Sequence, residues 1–84
     1  MELEDRAGNV RTRQDLAELL GLLAQDCAQH GDEWENPTLE RYLEAMAAWV
    51  ASMASLYRNR GQEPPESPSW ELCARMLLAA RNYE

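Results

Sequence analysis

Apolar residues recur at three- and four-residue steps in three separate stretches of this chain, and the spacing predicts three helices. In the first, Leu16, Leu19, Leu20, Leu23 and Cys27 share one helical face, with Gln14, Glu18, Gly21 and Gln25 opposite. Thr12 with Asp15 reads as a capping box, the carboxylate sitting near the positive end of the helix. Gly31 is the expected stop, with His30 in the last turn. Gly21 lowers helix propensity by roughly 1 kcal/mol relative to Ala and reads as a point of close approach by another segment.

The second stretch opens with Asn36 as N-cap and Pro37 at the first helical position. Leu39, Tyr42, Leu43, Met46, Trp49, Val50, Met53 and Tyr57 then form a broad apolar stripe. Unbroken to Arg60, this helix would run about 36 Å, against a radius of gyration of about 12 Å for a domain this small. It therefore either spans the domain or breaks near residues 51–55. Gly61, Pro64, Pro65 and Pro68 mark residues 61–69 as a linker. Ser67 is the expected cap of the third helix, with Pro68 at its first position. From Trp70 to Ala80 only Glu71 and Arg75 interrupt the apolar surface, and Asn82 extends that narrow polar stripe. A helix apolar most of the way round is central in its fold or covered by a partner. Residues 1–11 are polar and carry a turn signal at Gly8-Asn9, which predicts an irregular arm or a frayed pair of short strands. The expected fold is all-α: a compact three-helix bundle over residues 12–84, or four helices if the second one breaks, preceded by the arm 1–11.

Composition narrows the function classes. The chain has 84 residues, 45% of them hydrophobic, and a net charge of −7. That is enough for one modest core. Acidity argues against nucleic acid and anionic membranes, whose recognition needs clustered cations, and favours a basic partner. Every one of the 8 basic residues is Arg, and Ile and Phe are absent; a GC-rich, bacterial source produces such a bias. Cys27 and Cys73 lie on apolar helical faces and read as small core hydrophobes in a reducing compartment, a Cys27–Cys73 bridge being the lesser alternative. The apolar run 76–80 is too short to cross a bilayer, and Glu2, Glu4 and Asp5 do not fit a signal peptide. The expected location is the cytoplasm.

The chain offers little catalytic chemistry. One histidine, His30, and two core-like cysteines do not assemble a nucleophilic triad or a typical zinc site. No glycine-rich phosphate loop or EF-hand spacing occurs, so no metal and no cofactor are expected. Glu40 and Glu44 share a helix face but have no concave surroundings. The informative segment is Asp32-Glu33-Trp34-Glu35-Asn36-Pro37, which mixes carboxylates with a residue that is costly to leave in water. With Asp26, Glu40 and Glu44 it defines a candidate partner-binding face: Asp26, Asp32, Glu33, Trp34, Glu35, Glu40 and Glu44. Trp34 either anchors such an interface or packs inward against Tyr42 or the third helix. Trp49, Trp70, Tyr57 and Tyr83 read as core anchors.

The segments Trp34-Glu35-Asn36-Pro37-Thr38-Leu39, Tyr42-Leu43-Glu44-Ala45, Trp49, Pro68-Ser69-Trp70 and Leu77-Leu78-Ala79-Ala80-Arg81-Asn82-Tyr83-Glu84 together resemble a family of short bacterial proteins of unknown function, over roughly residues 15–84. The resemblance implies a compact helical domain, and small acidic proteins of this kind are often suspected of being immunity proteins. Family members tend to carry a turn-like Asp-Gly where this chain has Ala54-Ser55, which are better helix formers. The expectation that follows is a non-catalytic immunity protein whose acidic face caps a basic toxin, a nuclease above all. The alternative is a structural or adaptor module that homodimerises through the apolar surface of the third helix.

Overall fold

The computed structural model describes residues 3–63 and 65–83. Pro64 of the linker, Glu2 near the N-terminus and Glu84 of the last motif lie outside the described residues. Four helices follow in order: α1 (Leu3–Gly8), α2 (Arg13–His30), α3 (Leu39–Asn59) and α4 (Trp70–Ala79), with a 3-10 turn at Gly31–Glu33. The architecture is all-α. Its fourth helix arises at the N-terminus, not from a break in the long helix: α3 runs through Ala54 and Ser55 without interruption.

The N-terminal arm is the main departure from the sequence pattern. Residues 3–8 form a short helix whose Ala7 is 1% exposed, and Val10 just after it is 3% exposed. Both join Leu19, Leu23, Ala74 and Leu78 in one hydrophobic cluster. Six residues carry too little periodicity to predict a helix, and so short a helix is unstable alone. Contact with α2 and α4 holds it in place.

Capping decides the remaining boundaries. Thr12 Oγ1 accepts the Asp15 N–H at 3.1 Å, while Asp15 Oδ2 accepts the N–H of Arg11 at 3.0 Å, one residue before the cap. The reciprocal bond of a capping box is thus made one step upstream. α3 is capped by Thr38, whose Oγ1 accepts from Arg41 N–H at 3.2 Å, and not by Asn36. Asn36 is buried and otherwise engaged: its Nδ2 donates to the carbonyls of Ala80 and Tyr83 at 3.1 and 2.8 Å. α4 starts two residues later than predicted, with Ser69 Oγ accepting from Leu72 N–H at 3.0 Å, so Ser67 and Pro68 precede the helix. The last turn of α3 closes as a Schellman motif: Gln62 N–H donates to Tyr57 O and Gly61 N–H to Arg58 O. Gly61 sits at φ 71°, a conformation that only glycine adopts cheaply. Gly31, by contrast, has φ −59° and lets α2 tighten into the 3-10 turn. Gly21 faces open space, so no close approach accounts for it.

α4 is the central rod. Ala74 and Ala80 are fully buried, Leu78 is 7% exposed, and α1, α2 and α3 all pack against it. Ala74 and Leu78 are covered within the chain, while Leu72, Cys73, Met76 and Leu77 stay half-buried. Trp70, at its first turn, is 46% exposed and does not anchor the core. α3 packs on α4 and on no other helix, which leaves Leu39, Leu43 and Val50 exposed. No described helix is long and apolar enough to cross a membrane. The cysteines are half-buried free thiols with no bridge between them.

Asn36→Ala removes both donors to the 80–83 carbonyls and leaves two carbonyl acceptors in a largely closed site. The expected loss is about 1–3 kcal/mol of unfolding free energy, measured by urea denaturation. A loss below a few tenths would show that the tie between the α2–α3 loop and the C-terminal segment carries no stability.

Candidate functional site

The candidate face divides into an internal part and an external part. Asp26, on the penultimate turn of α2, points inward. Its Oδ2 accepts Trp34 Nε1–H at 2.7 Å and Arg81 Nη1–H at 3.1 Å. Its side chain is 23% exposed and that of Arg81 14%. Arg81 reaches further, with Nη2 donating to Glu4 Oε1 of α1 at 3.0 Å, while its Nε is buried with no partner among the described residues. One guanidinium thus joins α1, α2 and the end of α4. The planar fork of Arg suits this two-sided task, where the point charge of a Lys would not.

Trp34 takes the inward alternative. It is half-buried against the core cluster. Its ring stacks on Tyr42 with centroids 6.0 Å apart and planes at 26°, an offset geometry that aromatic pairs favour. Tyr42 in turn donates its hydroxyl to the Leu77 carbonyl of α4. Burial raises the Tyr42 pKa above its ordinary value, and the Arg81 charge works against that rise. The loop backbone is stitched to the same segment: Glu35 N–H donates to Asn82 Oδ1 at 3.3 Å and Asn36 N–H to Arg81 O at 3.0 Å.

The external part comprises Asp32 and Glu33 on the 3-10 turn, Glu35 in the loop, Glu40 in the first turn of α3 and Glu44 one turn on. All five are exposed. Glu33 Oε2 lies 3.3 Å from Nδ1 of His30; such surface pairs contribute little. Arg41 is exposed between Glu40 and Glu44 but leaves the cluster strongly negative. None of these carboxylates lines the cleft beside α4. That cleft, about 710 Å³, lies between the C-terminal half of α3 and α4, and Trp49, Tyr57, Arg60, Arg75 and Arg81 are among its walls. Among the described residues no group of three or more His, Cys, Asp or Glu side chains is placed to hold a metal ion.

Sequence reasoning assigned Asp26 to the partner face, left Trp34 either there or packed on Tyr42, and missed Arg81, Asn82 and Asn36 as their supports. A usable signal existed. The segments 34–39 and 77–84 carry the motif-like pattern, and their residues bond to each other across the fold, so the pattern marks a structural closure more than a binding surface. Residues 12–84 match the model of a family described as of unknown function, DUF7660. No curated protein and no solved structure matches the chain. The match begins at Thr12 and leaves out α1, although Glu4 and Ala7 of that helix hold Arg81 and the core.

The Asp26 network has a pH signature. The Trp34 hydrogen bond is the largest influence and lowers the Asp26 pKa below 3.8; burial opposes it, and Arg81 and the nearby His30 add to the lowering. A carboxyl that titrates lower folded than unfolded stabilises fully above its unfolded value and loses that contribution as pH falls through the folded one. Asp26→Ala should cost about 1–3 kcal/mol at neutral pH, since it strands the Trp34 N–H and leaves Arg81 with Glu4 alone of its two carboxylates. Asp26→Asn should cost less and flatten the acid limb below about pH 4. Denaturation midpoints from pH 2 to about pH 7 check both; an unchanged acid limb in Asp26→Asn would overturn the assignment.

Proposed function

The chain belongs to DUF7660, a family of unknown function, and from that premise we propose that it is a small, acidic, non-catalytic binding domain that works by stoichiometric contact with a basic protein. The observation that carries this reading is the partition of the carboxylates. Asp26 is engaged inside the fold, while Asp32, Glu33, Glu35, Glu40 and Glu44 stand in solvent on one stretch where the 3-10 turn leads into α3. Carboxylates held out on a turn pinned by Trp34 and Asn36 form a rigid negative surface, and rigidity lowers the ordering cost of binding. Such a surface speeds encounter with a cationic partner and fixes its orientation.

In its most concrete form the partner is a toxin and the domain a bacterial, cytoplasmic immunity protein. A nuclease fits best, because a nuclease cleft is cationic to hold phosphates and an array of exposed carboxylates presents a matching anionic surface.

Co-expression with the product of the adjacent gene provides the test. The expected result is a 1:1 complex that survives purification at low salt and dissociates at high salt. Glu33→Lys with Glu35→Lys should slow association at least about tenfold and flatten its salt dependence, with thermal stability unchanged. A double variant that associates and protects as well as the parent would overturn the acidic-face mechanism.

A further inference from the structure

The acidic-face reading leaves the outward stripe of α3 unused. Leu39, Leu43, Met46, Val50, Met53 and Tyr57 fall within an arc of about 80° on this helix. Leu39 is 74% exposed, Leu43 52% and Val50 43%. Tyr42, Ala45 and Trp49 turn to the side that meets α4, where Ala45 is buried and Tyr42 bonds the Leu77 carbonyl. The other edge of the stripe is open. Along it stand Glu40, Ala47, Ala51 and Arg58, all exposed. A contiguous run of large exposed aliphatic side chains on one helix marks an interaction surface.

The open edge indicates the occupant, because it is complementary to itself. Glu40 and Arg58 lie equally far before and after Trp49, and so do Ala47 and Ala51. A two-fold axis at the level of Trp49 therefore sets Glu40 against Arg58 of a second copy at both ends, about 27 Å apart. Alanine meets alanine in the middle, where small side chains let the helices approach. The pairing is antiparallel, so the helix dipoles also oppose favourably. A parallel pairing would set Glu40 against Glu40 and Arg58 against Arg58. Among the described residues neither Glu40 nor Arg58 has an ion-pair partner within its own chain.

We propose that a second copy of this chain covers the outward face of α3, in an antiparallel α3–α3 homodimer held by the Leu39–Val50 stripe and by reciprocal Glu40–Arg58 pairs. Both subunits use the same patch, as a closed two-fold interface requires. One helix on one helix buries less than the roughly 800 Å² per partner of a standard interface, so the dimer is weak and reversible. The proposal does not rest on the acidic-face reading: the pairing engages Glu40 but not Asp32, Glu33 or Glu35.

Sedimentation equilibrium of the full chain at low salt, from about 5 to 500 µM, tests it. The expected result is a monomer–dimer equilibrium. Val50→Glu should abolish it while circular dichroism keeps the helical signal of the parent, because Val50 contributes to no buried core. Glu40→Arg and Arg58→Glu should each weaken association about tenfold by placing like charges together at both ends, and the two combined should restore it. A chain that stays monomeric to the top of the range overturns the proposal and leaves the face to a different protein. A dimer indifferent to Val50→Glu overturns the surface, and a charge swap that fails to restore association overturns the antiparallel register.

Discussion

Everything in this fold depends on covering α4. A chain of 84 residues can build one small core, and here that core is the surface of a ten-residue helix with almost no polar side. Ala74 and Ala80 are small enough to let neighbouring backbones close over them, and both are fully excluded from water. Three helices meet that single demand. α1 and α2 pack on α4 and on each other, while α3 packs on α4 alone. The asymmetry has a consequence: the long helix has one partner where the others have two, and its outward stripe remains exposed.

The polar chemistry sits where α4 ends. The last carbonyls of a helix lack intrahelical donors and must find partners elsewhere. Asn36 donates to the carbonyl of Ala80 at the helix end and to that of Tyr83 beyond it, and Arg81 draws Glu4, Asp26 and, through Asp26, Trp34 to the same corner. Tyr83 adds a contact to α3 through the Ser52 hydroxyl at 3.0 Å. The cluster draws on α1 through Glu4, α2 through Asp26, the following loop through Trp34 and Asn36, α3 through Ser52 and the segment after α4, so the corner closes only when all the helices are in place. It acts as the latch on an apolar assembly that would otherwise be held by non-directional burial alone.

The latch also sorts the acidic residues. Of the carboxylates near the α2–α3 loop, Asp26 is held by Arg81 and Trp34 and acts within the fold. Asp32, Glu33, Glu35, Glu40 and Glu44 face solvent, and the described ion pairs of Arg81 go to Glu4 and Asp26 instead. A surface charge of this kind acts mainly on encounter and orientation, whereas a desolvated pair acts on stability. The two groups look alike in sequence and differ in burial.

The sequence by itself determined the three long helices and the linker near residues 61–69, and it left the helix that starts at Trp70 either central in the fold or covered by a partner. The helices and the linker follow from local rules: periodicity and glycine or proline punctuation. Its cap assignments failed where two cap-forming residues stand two apart, as Asn36 and Thr38 do, or Ser67 and Ser69. Local preference is then nearly equal, and a distant partner decides between them for Asn36. Tertiary structure also made a helix of residues 3–8, turned Trp34 inward and took Asp26 out of the acidic face. Each of those outcomes depends on a group far away in the chain, chiefly Arg81 and the buried flank of α4. Side-chain pattern records which face is apolar; only packing settles which apolar faces meet and which polar groups are left to satisfy one another.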